Sequence, residues 1–138
     1  MEFRSSDHIS YLSLVPVERG HENLPSVSLA VEARVGELLG ACASVWVELD
    51  AIQVFQDELK ALETSRNGSA HLSAMSPGAF ELSLETYDLS GHLRLRVELA
   101  KARYVGHVLA ETRLSGAFEV DSEQLLNIVA AASSLHQP

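Results

Sequence analysis

From Val27 to Val35 every second residue is apolar: Val27, Leu29, Val31, Ala33 and Val35 alternate with Ser28, Ala30, Glu32 and Arg34. This is the period of a strand with one buried face. Gly36 interrupts the pattern. Ala41, Ala43, Val45, Val47 and Leu49 resume it, with Cys42, Ser44, Trp46 and Glu48 directed to the opposite side, so the two runs predict a hairpin. At Asp50 the period lengthens: Ile52, Phe55, Leu59 and Leu62 recur at helical spacing, while Gln56, Asp57, Lys60 and Glu63 point elsewhere. An amphipathic helix follows. Asp50 with Gln53 three residues on reads as its capping box, and Ser65-Arg66-Asn67-Gly68 as its stop.

The second half repeats the grammar. A short strand is expected from Ala70 to Met75, then a turn at Ser76-Pro77-Gly78, where proline presets one dihedral and glycine relaxes the next. Phe80, Leu82 and Leu84 alternate with Glu81, Ser83 and Glu85; Leu93, Leu95, Val97 and Leu99 alternate with Arg94, Arg96 and Glu98; the turn between them falls within Asp88-Leu89-Ser90-Gly91. Pairing these strands sets the outward carboxylates Glu81 and Glu85 against a row holding Arg94 and Arg96. A last strand carries Val108, Ala110, Thr112, Leu114, Gly116, Phe118 and Val120 on one face, with Gly106 and Gly116 as bulge or bend points. Asp121, with Gln124 as box partner, caps a final helix striped by Leu125, Ile128, Val129, Ala132 and Leu135. Residues 136–138 are expected to fray. At the other end, Ile9 to Val15 reads as a strand ended by Pro16, and Glu18 to Pro25 as a loop. The expectation is one α+β domain over residues 1–138: an antiparallel sheet of about seven strands covered by two amphipathic helices, in the order βββαββββα.

Composition agrees with a packed core, since 46% of the 138 residues are hydrophobic and 21% charged, far from the balance that keeps chains disordered. Nineteen acidic against ten basic side chains leave a formal charge of −9. That field repels nucleic acid and anionic lipid and favours a basic partner. No apolar run reaches the length of a membrane helix. The opening residues lack a basic segment followed by an unbroken apolar stretch, and the single Cys42 offers no internal disulfide. A cytoplasmic setting, with neither membrane nor nucleic acid as partner, is the expectation.

Little in the chain points to chemistry. The six histidines, His8, His21, His71, His92, His107 and His136, show no ligand spacing among themselves, so no metal is expected. Cys42 reads as a structural thiol with no neighbouring base to activate it. A nucleophile elbow, a phosphate-cradling glycine loop and a C-x-x-C pair are all absent from the sequence. Glu48, Asp50, Asp57 and Asp88 are available carboxylates, but solvated faces and helix caps account for each. The expectation is therefore no catalytic residue and no cofactor. Trp46 is different: it stands opposite Val45 and Val47, either covered by a second layer or presented as an apolar anchor of the kind enriched at interfaces.

One set of residues has a familiar arrangement. Trp46 and Glu48 end a strand that enters a helix carrying Asp50, Phe55, Leu59 and Leu62; Gly68, Ala70 and Leu72 follow, then Phe80 and Leu82, then Gly91-His92-Leu93 with Leu95, and finally Phe118, Val120, Asp121 and Leu125. From Ser44 to Leu135 the chain resembles the WapI-type bacterial immunity proteins and related domains of unknown function. The resemblance implies a non-catalytic protein that binds and neutralises the toxic domain of a contact-dependent toxin. A basic toxin domain would suit the acidic surface, with Trp46, Glu48, Asp57, Glu81, Glu85 and Asp88 as the expected partner-facing positions. Two other readings stay open. A small apolar ligand could be enclosed around Trp46, Phe80 and Phe118, or the protein could form a homo-oligomer through a sheet edge or face.

Overall fold

A computed structural model describes all residues, 1–138. In chain order the elements are β1 (Glu2–Arg4), β2 (Tyr11–Arg19), β3 (Ser26–Val35), β4 (Leu38–Glu48), α1 (Leu49–Ser65), β5 (Ser69–Ser73), β6 (Phe80–Thr86), β7 (Leu93–Val105), β8 (Val108–Val120) and α2 (Leu125–Ala132), the last entered through a 3-10 turn at Ser122–Gln124. The α+β class is as expected. The strands number eight, however, and form two antiparallel four-stranded sheets, ordered β1-β2-β3-β4 and β5-β6-β7-β8. Strand β1 has too few residues to show a period; the backbone ladder to β2 holds it, with Phe3 opposite Leu12.

Both sheets contribute their apolar face to one core. Phe3, Leu12, Leu14, Leu29, Val31 and Val47 from the first sheet join Leu72, Phe80, Leu82, Leu84, Leu95 and Phe118 from the second. Ile52, Phe55, Leu59 and Leu62 of α1 and Leu125, Ile128 and Ala132 of α2 complete it. Gln56 is the one buried polar side chain of α1, and its amide donates to the Ala132 carbonyl at 2.5 Å, tying the two helices together. The sheets come into close contact at two glycines: a Cβ on Gly116 would stand 2.7 Å from Val35 Cγ1, and one on Gly40 3.0 Å from Leu114. Gly116 is thus a contact point between sheets and not a bend.

Several local expectations are corrected by the backbone. Pro16 does not end β2; the strand passes through it and shifts register between Pro16 and Glu18, because a bulge tolerates the missing N–H. A second bulge lies opposite Ala30, where Leu29 pairs with Val45 but Val31 with Cys42. This extra residue reverses the alternation in β4, so that Cys42 packs against the core while Ala41 and Ala43 are exposed. Helix α1 begins at Leu49 after Glu48, with no side-chain cap; Gln53 donates to Asp57 instead of reaching back. Asp121 likewise makes no cap bond, its carboxylate accepting from the Ser6 hydroxyl at 3.1 Å. Gly106 closes the β7–β8 hairpin at φ 65°, and both strands of that hairpin run well past the end of β6.

Candidate functional site

The outward face of the second sheet is set by register. Across β5, β6, β7 and β8 one row reads Ser73, Glu81, Glu98, Ser115, and a row further along reads Glu85 opposite Arg94. Glu85 meets the expected cations, with Arg94 at 2.9 Å and Arg96 at 3.2 Å. Glu81 does not. It stands directly opposite Glu98, and like charges at that position oppose strand pairing. Neighbours moderate the repulsion: Ser73 donates to Glu81 at 2.6 Å, His71 lies 3.0 Å from the same carboxylate oxygen, and Arg113 lies 3.8 Å from Glu98. His71, Glu81 and Glu98 line a shallow depression of about 630 Å³, together with Ser83, Arg96 and Ser115. On its flank Glu58 of α1 accepts from the His71 backbone N–H.

Ser73, His71 and Glu81 are the residue types of a nucleophilic triad, but the geometry is not that of one. The serine oxygen (2.9 Å) and the Glu81 carboxylate both meet the same ring nitrogen, Nε2 of His71. A working triad needs the carboxylate on the opposite nitrogen, orienting the ring. No three His, Cys, Asp or Glu side chains converge where a metal ion could be held.

The remaining expected positions lie on other elements: the β6–β7 turn, α1 and the first sheet. Asp88 lies in the β6–β7 turn, accepting from the backbone N–H groups of Ser90 and His92 and facing the His92 ring. The hydrogen bond to His92 holds the Asp88 carboxyl below its usual range, and the same contact raises the His92 imidazole. Asp57 is exposed on α1. Glu48 and Trp46 stand on the outward side of β4, in the first sheet. Trp46 is half-buried and borders a smaller hollow with Ser44, Ala74, Ala79, Ala100 and Lys101; its carbonyl accepts from the Met75 N–H at 2.8 Å, linking β4 to the chain that follows β5. Across the ladder from Trp46, the hydroxyl of Ser28 is buried with no hydrogen-bond partner.

Glu98 was missed by sequence reasoning, although its signal was present. A turn centred between Leu89 and Ser90 places residues whose numbers are symmetric about that point opposite each other, which assigns Glu81 to Glu98 and leaves only Glu85 for Arg94.

Two sheets on a shared core, one of them carrying a depression lined by Glu81, Glu98, His71 and Arg96, define an α+β protein. The chain belongs to the immunity protein WapI-like family, whose family model matches residues 3–137. No curated protein and no solved structure matches it. No helix is long and apolar enough to cross a membrane.

Proposed function

We propose that the protein is a non-catalytic immunity protein that binds a basic toxin domain and neutralises it, in the cytoplasm, through the outward face of the second sheet. Family membership supplies the class of function. The observation that carries the choice of face is the directly opposed pair Glu81 and Glu98: a fold that tolerates like charges across a strand pair gains from a cation delivered to them from outside. Glu85 extends the same face. Asp88, Asp57, Glu48 and Trp46, on the β6–β7 turn, α1 and the first sheet, are proposed as further partner-facing positions, the carboxylates steering an approaching basic domain and Trp46 supplying an apolar contact.

The test is affinity capture of the tagged protein from host lysate at low and high salt, with eluates identified by mass spectrometry. Recovery of a basic toxin domain that weakens as salt rises, and is lost in a Glu81→Gln/Glu98→Gln variant, is the expected result. Undiminished capture by that variant would remove this face from the proposal, and capture of no toxin domain in either salt would remove the function.

A further inference from the structure

Strand β8 is the last of its sheet, and its outer edge is open over most of its length. The Glu119 carbonyl faces that edge, where it accepts from the Ser6 N–H at 3.0 Å. Backbone groups in a strand reverse direction at every residue, so the N–H and C=O groups of Leu109, Glu111, Arg113, Ser115 and Ala117 face outward as well. None of these has a backbone partner. No other edge is open over such a length. Strand β1 has 3 residues, the Trp46 carbonyl of β4 accepts from Met75, the His71 N–H of β5 donates to Glu58, and the edge that β7 exposes beyond Ala100 ends at Val105. Proteins usually blunt an open edge with a proline, a lysine, a bulge or a short strand. Strand β8 has none of these: it is 13 residues long, contains neither proline nor lysine, and pairs with β7 without a register shift.

Charge selects what covers the edge. Before Glu119 the charged side chains of β8 are Glu111 and Arg113, which flank Thr112 on the outward face, across from Ala102 and Ala100 of β7. A second β8 laid antiparallel about Thr112 sets Glu111 against Arg113 at both crossings, and opposite charges across a strand pair favour it. Other registers fail. Pairing about Glu111 or Arg113 sets that side chain against itself, pairing about Ser115 sets Glu111 against Glu119, and pairing about Ala110 or Leu114 brings no carboxylate to a cation. An axis between residues turns outward backbone groups toward inward ones and forms no ladder.

We infer that β8 pairs with β8 of a second copy of this chain, antiparallel about Thr112, joining the two second sheets edge to edge in a closed two-fold dimer. Leu109, Glu111, Arg113 and Ser115 of one copy face Ser115, Arg113, Glu111 and Leu109 of the other, with about eight inter-strand hydrogen bonds between their outward groups. Each Arg113, already 2.6 Å from the Glu111 of its own strand, gains a second carboxylate from the other copy. Lys101 and Arg103 take no part: they lie on the opposite face, across from Thr112 and Ala110, and each Lys101 stands about 14 Å from its counterpart, three strand spacings away. A contact confined to one strand edge is smaller than the standard interface of roughly 800 Å² per side, so association is reversible. The inference does not rest on the toxin reading, because Glu81 and Glu98 lie on β6 and β7 and keep their exposed face.

Sedimentation of the full chain from about 1 to about 300 µM tests it. The expected result is a monomer–dimer equilibrium. Leu109→Pro, which removes an outward N–H and leaves the β7 ladder intact, should raise the dissociation constant at least about tenfold. Glu111→Arg and Arg113→Glu, each placing like charges at both crossings, should separately do the same. An equimolar mixture of those two variants sets arginine against glutamate at every crossing and should restore the dimer. All three positions are exposed, and circular dichroism checks that the variants fold. A single 15.0 kDa species at every concentration, a dimer indifferent to these variants, or a mixture of the two charge variants that stays monomeric would each overturn the inference.

Discussion

Gly116→Ala tests the close approach of the two sheets. The added Cβ would lie 2.7 Å from Val35 Cγ1, 3.1 Å from its Cβ and 3.2 Å from its Cγ2, where ordinary contact begins near 3.4 Å. Rotating Val35 exchanges one methyl for the other and leaves its Cβ in place, so the strain must move backbone. Overpacking of this kind costs about 1–3 kcal/mol. Alanine also stiffens the unfolded chain and suits a strand better than glycine, returning about 0.5–1 kcal/mol. The expected net loss is therefore about 1 kcal/mol, within a span of about 0–2.5 kcal/mol. Urea unfolding should show a lower midpoint at unchanged slope. Val35→Ala in the same chain removes both methyls, so the double variant should be more stable than the sum of the singles by at least about 0.5 kcal/mol. A Gly116→Ala protein more stable than the parent, or a double variant that is merely additive, would refute the reasoning.

Other expectations follow from the same geometry. Gln56→Ala should destabilise by about 0.5–1.5 kcal/mol in urea unfolding, because the Ala132 carbonyl loses the amide donor and keeps only the Leu135 N–H at 3.1 Å; a change within a few tenths would mean that water replaces the amide. Ser28→Ala should be neutral to stabilising in thermal unfolding, since its buried hydroxyl has no partner to lose, and a marked loss would reveal one. In the Asp88–His92 pair the raised His92 contributes stability below its ordinary 6.5 and loses it as pH rises through the raised folded value. The lowered Asp88 contributes above its ordinary 3.8 and loses it as pH falls through the lowered folded value. The pair thus supports the turn in the mildly acidic range, and an NMR titration should find His92 shifted down toward 6.5 in Asp88→Asn; an unmoved midpoint would assign the shift elsewhere. Glu81→Gln should leave the fold intact by circular dichroism while weakening any basic partner, and an unchanged partner affinity would count against the acidic face.

Legibility differed by level. The alternation of Val27 to Val35 and of Phe80 to Leu84, and the helical stripe Ile52, Phe55, Leu59, Leu62, are direct imprints of burial on one face, and each became an element. Partition into two sheets was not readable, because the alternation reports that a face is buried and not which strands lie beside it. The β4 bulge escaped for a related reason: Ala41, Cys42, Ala43 and Ser44 are all small, so either parity fits until Val45 fixes it. At the site, Glu85 with Arg94 followed from pattern alone, whereas Glu81 with Glu98 required the register. The continuation of β7 from Lys101 to Val105 was not readable, because Lys101, Ala102, Arg103, Tyr104 and Val105 show no regular alternation, whereas the facing strand from Val108 was expected.

The two sheets are each made of consecutive strands, joined once through α1, and this sets a timetable for synthesis. The first sheet can assemble as soon as Glu48 has left the ribosome, yet its apolar side, with Leu12, Leu14, Leu29, Val31 and Val47, has nothing to meet until the second half is made. At about 5–20 residues per second that wait is about 5–18 s. For that interval the nascent chain displays an oily half-shell, a natural client for chaperones, and closure is completed only when the final helix arrives to receive the Gln56 amide.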